Sequence, residues 1–251
     1  MPRETNAAKA ARALAIVDGL KEAYSDSRCA LRHDTPFQLL IATALSAQTT
    51  DLAVNKATSG LFADFPDPAA MAAAPEEAIA SHINGIGLWR TKAKNARAAA
   101  QAIMDRFDGA MPETVEQLIS LPGVGRKTAT AVLGQTMGAV GITVDTHMLR
   151  INPLLRLSKQ TDPNKMAREL ERWIPQEEWV AYTHRIIDHG RLVCVARRPR
   201  CGICPVAQLC PSAGSEKAGY KPENDRKLPG SAKGLSWISL GDGEVPAWAL
   251  G

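Results

Sequence analysis

Four of the chain's five cysteines, Cys194, Cys201, Cys204 and Cys210, fall within 17 residues, and no other feature constrains the fold as tightly. Thiols at the spacing C-x6-C-x2-C-x5-C lie on too short a stretch to reach separate partners, so they can close around one centre. An all-cysteine shell suits zinc or an iron–sulfur cluster. Zinc sites usually show two close pairs, whereas here only Cys201 and Cys204 are close, and the common ferredoxin spacings do not match either. Spacing alone leaves the metal open. A disulfide scaffold is disfavoured because Cys29 stands apart from the group. The apolar run at 13–17 is interrupted by Asp18, far short of a signal core or a membrane span, so a reducing, intracellular setting is expected.

A chain tied at one end to such a centre must still build a core, and its composition favours helices. Alanine is plentiful, aromatic residues are only 5% of the 251, and β-branched runs are scarce. Leu14, Val17, Leu20 or Lys21, and Tyr24 recur at helical spacing, predicting an amphipathic helix over about 7–25 that packs on something later in the chain. From Thr35 to Gly138 helical stretches alternate with short breaks at 46–50, 64–68, 84–87, 108–112 and 121–125. Further helices are expected over 145–155, 163–173 and 177–192. The run 142–144 is the best β-like segment and is too short to found a sheet, so the expected class is all-α. Ser, Gly, Lys and Pro dominate 212–234, leaving Trp237, Ile238, Leu240 and Trp248 as candidates for packing. That tail is read as a flexible extension with a docking segment.

The most informative break is 121–129, LPGVGRKTA. Pro122 stops one helix, and Gly123 and Gly125 allow close approach to another surface. The amides of Val124 to Lys127 are left at the start of the next helix, where they form an anion site suited to a nucleic-acid phosphate. A plain tight turn would need the glycines but not the charges. Arg126 and Lys127 sit at the positive end of a helix dipole, a local conflict that a bound phosphate resolves. The dipole, Arg126 and partial burial are expected to lower the pKa of Lys127, as a nucleophilic amine requires. Asp145, in VDTH, lies 18 residues further on and is expected to cap its helix. The chain can bring it back to the mouth of the lysine's helix, since a helix rise of ~16 Å is within the ~23 Å reach of the seven extended residues that follow. The two roles are compatible, because a cap holds the carboxylate ionised where positive charge develops.

The loop between the first two clustered cysteines carries Arg197, Arg198 and Arg200 around Pro199, a basic knob suited to phosphate. Net charge over the whole chain is only +4, which by itself excludes a histone-like binder. Its distribution is more telling. Residues 1–84 hold 7 basic and 10 acidic side chains, whereas 85–251 hold 23 and 16, so the excess lies with the hairpin and the cysteine loop.

Together these motifs resemble the endonuclease III family of helix-hairpin-helix DNA glycosylases. The resemblance runs from about Leu14 to Pro211 and rests on LSAQTTD (45–51), VNKAT (54–58), GIGL and TKA (85–88 and 91–93), LPGVGRKTA, VDTH (144–147) and HGRLVCVARRPRCGICPVAQLC (189–210). It implies that the cysteines hold a 4Fe-4S cluster. It also implies a six-helix barrel domain over 29–139, a cluster domain from 1–28 and 140–215, an active site in the cleft between them, and a partly flexible extension over 216–251. By the same resemblance Lys127 is the amine that attacks a damaged nucleotide and Asp145 the supporting carboxylate. Gln48 and Leu88 fill the gap left by the flipped nucleotide, and Gly123, Val124, Gly125, Arg126 and the knob arginines meet the backbone. Without that resemblance Gln48 is a polar turn residue and Leu88 belongs in the core. The implied partner is double-stranded DNA with damaged bases or abasic sites, met by a monomeric, cytoplasmic, bacterial enzyme at the nucleoid with no membrane contact. Two features depart from the family's short pattern: the tail after Ser212, and Trp89-Arg90 after Leu88. A mismatch-acting adenine glycosylase is disfavoured by Lys127 and by the length. A non-catalytic DNA-binding or electron-transfer protein is disfavoured by Lys127 together with Asp145.

Overall fold

The computed structural model describes residues 4–225; the tail positions Trp237, Ile238, Leu240 and Trp248 lie outside the described residues. Among the described residues there are helices and turns but no strand. Contacts divide the chain into two compact units, Cys29–Val140 and the pair of segments Met1–Arg28 and Gly141–Gly251.

The continuous unit holds α2 (Pro36–Leu45), α3 (Asp51–Asp64), α4 (Pro68–Ala73), α5 (Glu76–Ile83), α6 (Trp89–Phe107), α7 (Val115–Ile119) and α8 (Arg126–Thr136). Thr35 and Pro36 start α2, the threonine oxygen accepting from the Gln38 amide at 3.2 Å. Phe37 to Ala42 and Leu45 are all buried, the polar Gln38 among them, so α2 is enclosed on every side and forms the unit's centre. The alanine content has its purpose in α6, where Ala93, Ala96, Ala99 and Ala100 make a buried stripe against which α4 and α5 pack closely. The five expected breaks fall between these helices. Ala74-Pro75 adds a further one, because Pro75 ends α4 and opens α5.

The split unit contains α1 (Asn6–Ala23), α9 (Thr146–Leu154), α10 (Pro163–Leu170) and α11 (Trp179–Leu192). α1 packs on α11, but through a face slightly rotated from the expected one. Ala13, Ile16, Val17, Leu20 and Tyr24 are buried, while Leu14 is 43% exposed. A period of 3.6 residues carries Leu14 out of a stripe centred on Ala13 and Ile16. Glu178 ties α1 to α11 by accepting from Lys21 at 2.8 Å and Arg185 at 2.5 Å. Burial alone would raise the carboxyl's pKa, but the two cations outweigh it and hold the group below the usual carboxylate range. Deeper in the unit, the fully buried Tyr182 hydroxyl donates to the Asn152 side chain at 2.7 Å.

Candidate nucleic-acid interface and metal centre

Lys127 stands in the first turn of α8 and is exposed rather than partly buried. Gly125 is the N-cap, and having no side chain it leaves the first-turn amides without a side-chain cap. A Cβ on Gly125 would meet nothing within 4 Å, so that side of the turn is open to an approaching ligand. Gly123 serves differently. Its φ of +76° is one that glycine tolerates, and an added Cβ would come within 2.9 Å of Asn95, so it lets the hairpin lie against α6. Val124 departs from expectation. Its side chain is buried and its amide donates to the Leu121 carbonyl at 3.2 Å, so the turn consumes this donor and the open amides begin after it.

Five described residues other than glycine have positive φ: Gln48, Leu88, Asp108, Arg156 and Arg197. Asp108 and Arg156 terminate α6 and α9, a routine use of this conformation. The other three belong to the set expected to touch DNA, and all three are exposed. Leu88 is the plainest case, at φ 58° and 64% exposure, and a core role is excluded. Left-handed backbone costs a side-chain-bearing residue roughly 1–2 kcal/mol. Leaving most of a leucine in water forgoes roughly another 1–2 kcal/mol. Two unfavourable choices at one position call for a functional reason. Beside it, the Arg90 guanidinium lies over the Trp89 ring at 4.1 Å, which fixes an exposed cation at the same tip.

Asp145 is the N-cap of α9, accepting from the Met148 amide at 2.8 Å through one oxygen. The other end of this unit is the cysteine loop. All four clustered cysteines line one cavity, partly open to solvent, together with Ile151, Leu154 and His189. Four cysteines on one shared space are a donor set that suits an iron–sulfur cluster. Burial pushes the Cys194 thiol up to about 11 and Cys204 up to about 12, so thiolates form here only against a bound cation.

Donors around the sulfurs suit such a charged group. Arg150 donates to the Cys194 carbonyl at 2.5 Å and approaches its sulfur at 3.9 Å. His189, held neutral by burial and then by Arg150 with a pKa lowered to about 3, shares a hydrogen bond with the Tyr24 hydroxyl through Nδ1 at 2.9 Å. Its Nε2 faces Cys204 Sγ at 3.9 Å.

The arginine knob splits. Arg197 and Arg198 are exposed, but Arg200 is 8% exposed and donates to the carbonyls of Leu192 and Asn224, so it braces the loop instead of facing phosphate. The segment after the last cysteine takes part in this bracing. Asp225 accepts from the Gly202 amide at 3.2 Å and from the Tyr220 hydroxyl at 2.8 Å, and Gly219 packs against the Arg197 backbone. Ser212, Ala213 and Ala218 line the cavity.

Residues 41–176 match the family model of the HhH-GPD superfamily base excision DNA repair proteins, and 194–210 match the iron-sulfur binding domain of endonuclease III. Endonuclease III of Synechocystis sp. is 47% identical over 208 residues, 82% of this chain and 95% of that protein. Two solved structures, a non-covalent endonuclease III–DNA complex and a trapped covalent endonuclease III–DNA intermediate, superpose with a TM-score of 0.77 each. Both are 37% identical and cover 83% of this chain and 98% of the other. The extra length of this chain thus has no counterpart in those relatives. The clustered cysteines, the uncapped hairpin and these matches together place the chain in the endonuclease III family, DNA glycosylase/abasic-site lyases of base excision repair that carry a 4Fe-4S cluster.

Proposed function

We propose that this enzyme removes oxidised pyrimidines, such as thymine glycol, from duplex DNA and then cleaves the strand at the resulting site. The observation that carries the reading is Lys127, an exposed amine in the first turn of a helix whose amides have no side-chain cap. The turn from Gly123 to Arg126 would take the phosphate beside the damaged nucleotide, and Arg197 and Arg198 would take phosphates further along. With the nucleotide turned out of the stack, Gln48 and Leu88 would fill the gap.

In the reaction the Lys127 lone pair bonds to C1′ of the sugar, and the C1′–N bond breaks with its electrons leaving on the base, which takes up a proton. The ammonium loses its proton, the freed lone pair breaks the C1′–O4′ bond as O4′ takes up a proton, and a ring-opened Schiff base results. Loss of a C2′ proton then expels the 3′-phosphate by β-elimination, and water releases the lysine. Asp145 stabilises the positive charge that develops at C1′, using the oxygen that the Met148 amide does not hold. Cys194, Cys201, Cys204 and Cys210 would hold the 4Fe-4S cluster, and their ligation would fix the loop bearing Arg197 and Arg198.

We assign the hairpin domain to 29–139 and the cluster domain to 1–28 with 140–215, and read the enzyme as a monomer acting on DNA in the cytoplasm. No described helix is long and apolar enough to cross a membrane. Borohydride trapping over a panel of duplexes tests substrate and chemistry together. A covalent complex with thymine glycol and with abasic DNA is expected, and trapping only with abasic DNA would remove the pyrimidine assignment.

A further inference from the structure

Lys92 is the one lysine among the buried residues of α6, 8% exposed within a stripe otherwise made of Ala93, Ala96, Ala99, Ala100 and Ile103. An ammonium group persists in such a place only when its donors are satisfied. Its Nζ donates to the Ala47 carbonyl at 2.8 Å and to Thr49 Oγ1 at 2.8 Å. Those acceptors stand on either side of Gln48, which holds a left-handed conformation at φ 55° with its own side chain exposed. The main chain of the same lysine donates to the Leu88 carbonyl at 3.0 Å, closing the first turn of α6 behind the other left-handed tip. One residue therefore grips the backbone on both sides of Gln48 with its side chain and the backbone of Leu88 with its amide.

We propose that Lys92 is a positioning residue that locks the turn bearing Gln48 to the start of α6, so that Gln48 and Leu88 enter the duplex as one rigid pair. This rests on the gap-filling reading of those two residues. The physical need is plain. A side chain pushed into a base stack meets resistance, and a four-residue turn in a strained conformation would yield unless something beneath it held firm. The Thr49 amide closes that turn on the Ser46 carbonyl at 3.0 Å, and the Thr49 hydroxyl bonds the Ala47 carbonyl at 3.3 Å. Both contacts lie within the turn and leave it free to rock as a body. Lys92 alone of these groups reaches it from another helix. Because its head is turned inward and engaged, its role is distinct from attracting phosphate.

The test uses the full-length enzyme with its cluster and three variants: Lys92→Met, Thr49→Val, which keeps the charge but removes one acceptor, and Gln48→Ala. Amide hydrogen exchange at Gln48 and Thr49 in the free protein should speed up by about tenfold in Lys92→Met and by less in Thr49→Val. Unchanged exchange would overturn the clamp itself. Affinity is then compared between a duplex carrying a tetrahydrofuran abasic analogue and an undamaged duplex. The preference for the former should fall by about tenfold in Lys92→Met and in the same direction in Thr49→Val, with undamaged binding held within about twofold.

Combining Lys92→Met with Gln48→Ala should lower that preference no further than Gln48→Ala does, because both act through one tip. Multiplying effects, or equal losses on both duplexes, would overturn the proposal. If exchange rises but Gln48→Ala leaves the preference intact, it is the gap-filling reading that fails, and the proposal falls with it.

Discussion

α6 and α8 begin alike and are used in opposite ways. Neither has a side-chain cap at its N-terminus, and each carries a lysine close behind its first residue, Lys92 in one and Lys127 in the other. In α6 the start is a left-handed leucine and the lysine turns inward, its donors bound to the Ala47 carbonyl and the Thr49 hydroxyl. In α8 the start is a glycine with open space beside it and the lysine faces solvent. A helix start with a nearby lysine is thus not one kind of site. What separates Lys92 from Lys127 is whether acceptors within the protein already hold the amine.

The sharpest way to break this contrast is to remove each lysine in turn. Lys127→Ala should abolish borohydride trapping, a loss of at least ~1,000-fold in rate at saturating DNA. Lys92→Met should leave that saturated rate within a few-fold and act on affinity. A Lys127→Ala protein that traps at the normal rate would end the assignment of the nucleophile.

A third helix start, that of α9, carries the cap that the other two lack. Asp145→Asn retains an oxygen able to accept the Met148 amide but loses the charge, so turnover should fall by roughly 100-fold with stability changed by only tenths of a kcal/mol. Asp145→Ala should show the same kinetic defect and also lose about 1 kcal/mol in urea unfolding. Normal turnover in the asparagine variant would leave the residue a cap and nothing more.

The two hairpin glycines give the next smaller effect. Gly123→Ala forces a Cβ into a positive-φ position and against Asn95, and should destabilise the protein by roughly 1–3 kcal/mol. Gly125→Ala meets no neighbour in the free protein and should cost about 0.5–1 kcal/mol as a poorer cap. Its main consequence should be weaker DNA binding, seen by titrating labelled duplex. Unchanged DNA binding in Gly125→Ala would show that the open side of Gly125 is not the ligand side.

These contrasts also show what the sequence could and could not say. The all-α class and the helix breaks were legible because Pro, Gly and polar runs act locally, and the cysteine spacing confined the metal to one short loop. Tertiary placement was not legible. Arg198 and Arg200 look equivalent in a run of arginines, yet one is exposed and the other is turned in by the Leu192 and Asn224 carbonyls. Leu88 reads as core by its side chain, and only the backbone angle reveals the tip. Lys127 was expected partly buried because a reactive amine is favoured there, but the fold leaves it exposed. Apart from its place in the TKA run shared with the family, Lys92 gave no signal beyond a charge among alanines, since its acceptors lie more than 40 residues earlier in the chain. The segment 212–225 has the composition of a linker, yet Asn224 and Asp225 bond it to the cysteine loop, and no pattern of period or spacing announces such contacts.

The smallest effect tests the inward lysine by pH. Burial lowers the pKa of Lys92 from its ordinary value of 10.5, which the unfolded chain regains. Between the folded value and 10.5 the unfolded chain therefore binds more protons, and the stabilisation linked to Lys92 grows as pH rises through that window. It is fully present above 10.5 and is lost as pH falls through the folded value, so near neutrality the buried charge is carried at its full desolvation cost. Other groups titrate in the same range, but they are common to the wild type and Lys92→Met and cancel in the difference between them. Urea midpoints measured from neutral pH to above 10.5 should shift in favour of the wild type relative to Lys92→Met as pH rises. A drift the other way would mean that the two oxygens stabilise the ammonium by more than burial penalises it, making the grip on the Gln48 turn stronger and not weaker. A flat difference would mean that the lysine head is solvated in solution, and the contrast with Lys127 would then rest on geometry that the free protein does not maintain.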